Sequence, residues 1–119
     1  MFRFLPSEAG FPPEASLVRN RLLAALAPED LARLRPHLEL ATPGLGEVLA
    51  TPGQVMDCVL LPEAGIVSVL AAPTNDHRKV EIGLIGREGV VGPPVVLGVD
   101  VSPSEYLVQA DARAWRLPL

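Results

Sequence analysis

The chain holds one cysteine, Cys58, and one lysine, Lys79, and aromatic residues fill only 4% of its 119 positions. A lone thiol excludes an internal disulfide framework, a four-cysteine zinc site and a four-cysteine iron–sulfur cluster. Positive charge is scarce as well: ten basic residues stand against fourteen acidic ones, for a formal net charge of −4. The arginines are scattered singly or in pairs, which leaves no electrostatic footprint for nucleic acid. Long apolar runs are missing, since the longest, Gly89 to Val99, is broken by Pro93 and Pro94 and is too short to span a bilayer. The opening Met1-Phe2-Arg3-Phe4-Leu5-Pro6 lacks the apolar stretch of a signal peptide. A cytoplasmic protein with no membrane partner is expected. Catalytic chemistry is thinly supplied too. The two histidines, His37 and His77, are isolated, and no serine sits in a Gly-x-Ser-x-Gly elbow. Neither enzyme activity nor a metal or other cofactor is expected.

What is present suits a packed core. Hydrophobic residues make up 49% of the chain and charged residues only 20%, which excludes intrinsic disorder. Thirteen prolines and ten glycines interrupt the chain often, favouring short strands joined by turns over a helix bundle. Residues 1–14, with Pro6, Gly10, Pro12 and Pro13, read as an irregular arm, and 15–119 as one domain. Ser16 offers a helix cap before Leu17, Val18, Leu22, Leu23 and Leu26, which recur at helical spacing. Pro28 fits the first turn of a second helix carrying Leu31 and Leu34, which Pro36 ends or kinks. Beyond Leu40 come short apolar segments: Val48–Ala50, Cys58–Leu61, Ile66–Ala71, Lys79–Ile85 and Tyr106–Ala110. Turn signals separate them, among them Pro52-Gly53, Pro62-Glu63-Ala64-Gly65 and Pro73-Thr74-Asn75-Asp76. Such punctuation predicts an antiparallel sandwich or barrel, with a hairpin around Asn75-Asp76.

Glycine recurs at 83, 86, 89 and 92, and a single helical turn is predicted from Pro93 to Leu97. A glycine turn feeding a helix start can bind an anion through free backbone N–H groups. The alternative is a plain turn that needs positive φ values.

The order and spacing of several short motifs resemble the N-terminal half of Crp/Fnr-type bacterial transcription regulators. They are Asn20-Arg21-Leu22-Leu23 through Leu31, Leu45-Gly46-Glu47-Val48-Leu49, Pro52-Gly53, Asp57 to Leu61, Gly65 to Val69, and Ile85-Gly86-Arg87-Glu88-Gly89-Val90-Val91-Gly92. The resemblance implies a mainly β fold, the cyclic-nucleotide-binding-like β-roll: a double-stranded antiparallel jelly roll with short N-terminal helices and one short helix after the glycine-rich turn. It also implies a sensor domain in transcription regulation. In cyclic-nucleotide-binding members a glutamate follows the turn glycine, and an arginine beyond the short helix grips the phosphate.

Here Gly92 matches the glycine, but Pro93 replaces the glutamate, and no basic residue occurs between Arg87 and Arg113. Ser102-Pro103-Ser104-Glu105 fills the stretch where the arginine belongs. A degenerate effector pocket is therefore expected at Gly89, Val91, Gly92, Pro93, Val95, Ser102 and Ser104, with the small-molecule effector unknown. Family members run on into a long dimerisation helix and a helix-turn-helix, which do not occur before Leu119. DNA binding is thus expected only through a C-terminal part outside this chain, and a homodimer only in the longer protein. Without that helix, apolar surface near Trp115 and Leu117 is expected to be exposed. The alternatives are a free-standing β-roll interaction module and a domain that still binds a cyclic nucleotide; a small metalloenzyme barrel and a haem or redox sensor using Cys58 or His77 rank lower.

Overall fold

Cys58 to Leu61 and Ile66 to Ala71 are the most strand-like segments, and proline and glycine between them predict a turn. They form one strand instead. The computed structural model describes residues 18–71, 78–92, 98 and 101–118, so the arm, Ser16, the hairpin tip 73–76 and the helical turn at 93–97 lie outside the described residues. Within them, β1 spans Glu39–Ala41, β2 Val48–Ala50, β3 Cys58–Ala71, β4 Val80–Ile85 and β5 Glu105–Pro118. The antiparallel sheet runs β1-β5-β3-β4, with β2 also on β5.

The segment Pro62–Gly65 bends β3 without ending it. Pairing with β5 continues through register shifts at Pro62/Ala64, Ala64/Ile66 and Ile66/Val67. Gly65 sits at φ +90°, and a Cβ there would lie 2.6 Å from the Cα of Ala112 and 2.7 Å from the carbonyl oxygen of Asp111. Two backbones pass closer than any side chain permits, so the residue must be glycine. On one side of the bend, Cys58 to Pro62 pair with Ala114 to Pro118, next to β1; on the other, Ile66 to Leu70 pair with Glu105 to Ala110. Buried side chains from both halves, including Leu60, Ala114, Val67 and Val108, pack into one cluster. The sheet therefore folds over on itself around an inner core, the β-roll expected from the sequence.

β3 alternates between two cores. Cys58 and Leu60 point into the roll, while Val59 and Leu61 join Val18, Leu23, Leu31, Leu38, Leu40 and Trp115 on the outside. A helical layer built from α1 (Arg21–Ala24), α2 (Pro28–Leu34) and a 3-10 turn at Arg35–His37 covers that outer face. Pro28 opens α2 as expected, and Pro36 falls in the 3-10 turn where the α-helix gives way. The first helix is shorter than its apolar spacing suggests. Its cap is Asn20, at ψ 123°, so Val18 is not helical; Leu22 is exposed while Leu23 is buried.

Exposed apolar surface also lies elsewhere than expected. Trp115 is only 3% exposed and Leu117 packs partly buried beside it, because the helical layer covers both. A row of open apolar residues lies instead on β4, where Val80, Ile82 and Leu84 are 50%, 61% and 57% exposed. β4 pairs with β3 as the predicted hairpin requires, from Val67↔Ile85 to Ala71↔Val80, with a bulge opposite Val69/Leu70.

Candidate functional site

After Ile85 the chain leaves β4 and turns sharply. The Gly89 N–H donates to the Gly86 carbonyl at 3.1 Å, closing the turn. The Gly86 N–H donates to Oε1 of Glu88 at 3.0 Å. Backbone N–H groups of Glu88 itself and of Gly86 hold the Glu88 carboxyl below the usual range, with Arg21 and Arg87 adding to the effect. Of the four regularly spaced glycines only Gly92 has a positive φ, +98°. The three-residue interval is thus no uniform backbone device. A Cβ on Gly92 would meet the Met56 Cε at 2.8 Å, so its lack of a side chain makes room for Met56.

Val91 anchors the turn to the roll. Its N–H donates to the Leu60 carbonyl at 2.8 Å, and the Leu60 N–H returns to the Val91 carbonyl at 3.1 Å. The Val91 side chain is fully buried in the inner core. Gly89, Val91 and Gly92, three of the expected site residues, therefore form one ordered path from turn to core. Pro93 and Val95 lie outside the described residues.

Ser102 and Ser104 are both buried. The Ser102 hydroxyl donates to the Ser104 carbonyl, the Ser102 N–H to the Gln54 carbonyl at 2.8 Å, and the Gly53 N–H to the Ser102 carbonyl at 2.8 Å. These bonds fasten the segment to the Pro52–Gln54 turn and use up the Ser102 hydroxyl proton. The neighbouring Glu105 carboxylate is 10% exposed and takes the ammonium of Lys79 at 2.9 Å. The two charges offset each other there.

Two polar residues that sequence reasoning left out turn out to organise the turn from behind. Asn20 is fully buried. Its Oδ1 accepts the N–H groups of Leu22 and Leu23, both at 3.1 Å, and its Nδ2 donates to the carbonyls of Pro62 and Gly89, both at 2.9 Å. Glu63, only 9% exposed, accepts the N–H of Arg19 at 3.0 Å through one oxygen and that of Asn20 through the other. The Arg21 N–H reaches the Arg87 carbonyl at 2.7 Å. An asparagine directly before a leucine-rich helical stretch is a capping signal, and it could have been read as one.

No protein-family model and no curated protein matches the chain. Solved structures do. The N-terminal domain of a transcriptional regulator from Streptomyces coelicolor A3(2) is similar at TM-score 0.72 and 19% identity, covering 85% of this chain and 71% of that one. Thermus thermophilus catabolite activator protein gives TM-score 0.69 and 16% identity over 82% of this chain, which spans 45% of that protein. The regulatory domain of Toxoplasma gondii PKA, crystallised with cAMP, gives TM-score 0.75 and 14% identity, over 87% of this chain and 40% of that one. The fold is that of the cyclic-nucleotide-binding β-roll. Among the described residues, no helix is long and apolar enough to cross a membrane.

Proposed function

We propose that the chain is the sensor domain of a Crp/Fnr-type transcription regulator whose effector site, beside Gly89–Gly92, no longer grips a cyclic nucleotide. The fold supports the first half of this reading, together with the order of the motifs from Asn20 to Gly92. One observation carries the second half: between Arg87 and Arg113 the chain has no basic residue, and the stretch where a phosphate-binding arginine belongs holds Ser102, bonded to the Ser104 backbone, and Glu105, already paired with Lys79. A charge-assisted hydrogen bond contributes about 1.5–3 kcal/mol, so a missing arginine alone weakens phosphate binding roughly tenfold to a hundredfold. Pro93 and Pro94 remove two further N–H donors. Such a site suits a neutral or apolar effector over an anionic one, and DNA contact falls to a segment outside this acidic chain.

Titration calorimetry with cyclic AMP and cyclic GMP tests the reading. No saturable heat is expected at micromolar nucleotide. Saturable micromolar binding of either would refute the loss of grip and favour a domain that still binds a cyclic nucleotide.

A further inference from the structure

The four hydrogen bonds of Asn20 divide into two functions on two different atoms. Oδ1 caps α1, while Nδ2 holds the Pro62 carbonyl on β3 and the Gly89 carbonyl in the glycine turn. This one side chain ties three elements together with no exposure to water. Glu63 fixes the backbone on which Asn20 sits, and the Arg21–Arg87 backbone bond adds a second strap between helix start and turn. Any displacement of Gly89 must stretch a part-buried hydrogen bond to Asn20 or pull the cap with it. Leaving the buried Pro62 carbonyl without a donor is costly, and the half-buried Gly89 carbonyl loses a fixed partner, so the two ends move together.

We infer that Asn20 is the positioning residue of the glycine turn, and that it couples the turn to the N-terminal helical layer as one cooperative unit. Coupling of this kind is reciprocal: what orders the turn orders the cap of α1, and what loosens the cap loosens the turn. The inference rests on the reading of the turn as an effector site only for its use. In that reading the helical layer, seated on the outer face of β3, is where occupancy of the turn is felt.

Site-resolved amide hydrogen exchange on the whole chain tests it without any ligand. Asn20→Asp keeps the oxygen that caps α1 and replaces the Nδ2 donor with an oxygen facing two carbonyls. The expected result is exchange faster by about tenfold or more at Gly89, Val91 and Leu60, with Leu22 and Leu23 exchanging more slowly than in Asn20→Ala. Asn20→Ala, which removes both functions, is expected to speed all five amides. Turn amides that exchange at the wild-type rate in Asn20→Asp would overturn the inference. So would one common factor at every amide of the chain, which marks plain destabilisation. Should Asn20→Asp not fold, Asn20→Ser gives the same contrast, because its short hydroxyl still caps the helix but cannot span to both carbonyls. Failure here leaves the calorimetric test of the effector site untouched, and failure there leaves this coupling standing.

Discussion

The thiol of Cys58 lies fully buried in the inner core, and that burial pushes its pKa up to about 12 against the opposing pull of Arg116. A raised thiol pKa means that the folded state favours the neutral form. The stability it confers is complete below the unfolded value of 9.0 and is lost as pH rises from there toward 12. The native chain is therefore expected to resist thiol-specific reagents at pH 8 and to react fully once denatured; rapid native-state labelling would contradict the buried placement. Its denaturation midpoint should fall as pH climbs through the same alkaline window. Sequence alone placed Cys58 at the start of an apolar segment, which fits its burial. It did not reveal Asn20 and Glu63, whose partners lie 42 to 69 residues away. Long-range polar pairs of that sort leave no periodic trace.

Local patterns served the elements well wherever local forces decide the outcome. The β3–β4 hairpin, the short β2 and the Pro28 start of α2 all follow from turn residues and apolar spacing. They failed at Pro62–Gly65, where turn chemistry was used to bend a strand that pairing with β5 holds on both sides. They failed again before α1, where Val18 matched helical spacing but the buried Asn20 cap starts the helix later. Gly65→Ala isolates the first case. The positive φ and the clash with Ala112 and Asp111 together should cost about 2–5 kcal/mol, read as a lower midpoint in chemical denaturation. A change below about 1 kcal/mol would show that β3 and β5 do not cross so closely.

For the whole molecule, the arrangement is two cores on opposite faces of one strand, with the helical layer closing the outer one. Trp115 is central to that outer core, so Trp115→Ala should cost about 3–5 kcal/mol. Ile82→Lys, on the exposed strand β4, should change stability by no more than about 0.5 kcal/mol in the same assay. Equal losses at both positions would mean that the apolar surface was assigned to the wrong face. The roll itself was legible because its motifs keep their order and spacing, even though each is weak alone. Which apolar face stays open was not legible, since Trp115 and Ile82 both sit in alternating strands and only the helical layer tells them apart.

The central claim, a β-roll turn without purchase on a cyclic phosphodiester, is tested most directly by nuclear magnetic resonance. Cyclic AMP is added to the isotopically labelled chain while the amides of Gly89, Val91, Gly92, Ser102 and Ser104 are followed. These signals are predicted to hold their positions through the micromolar range. Saturable shifts at Gly89 to Gly92, growing in step with nucleotide, would contradict the account.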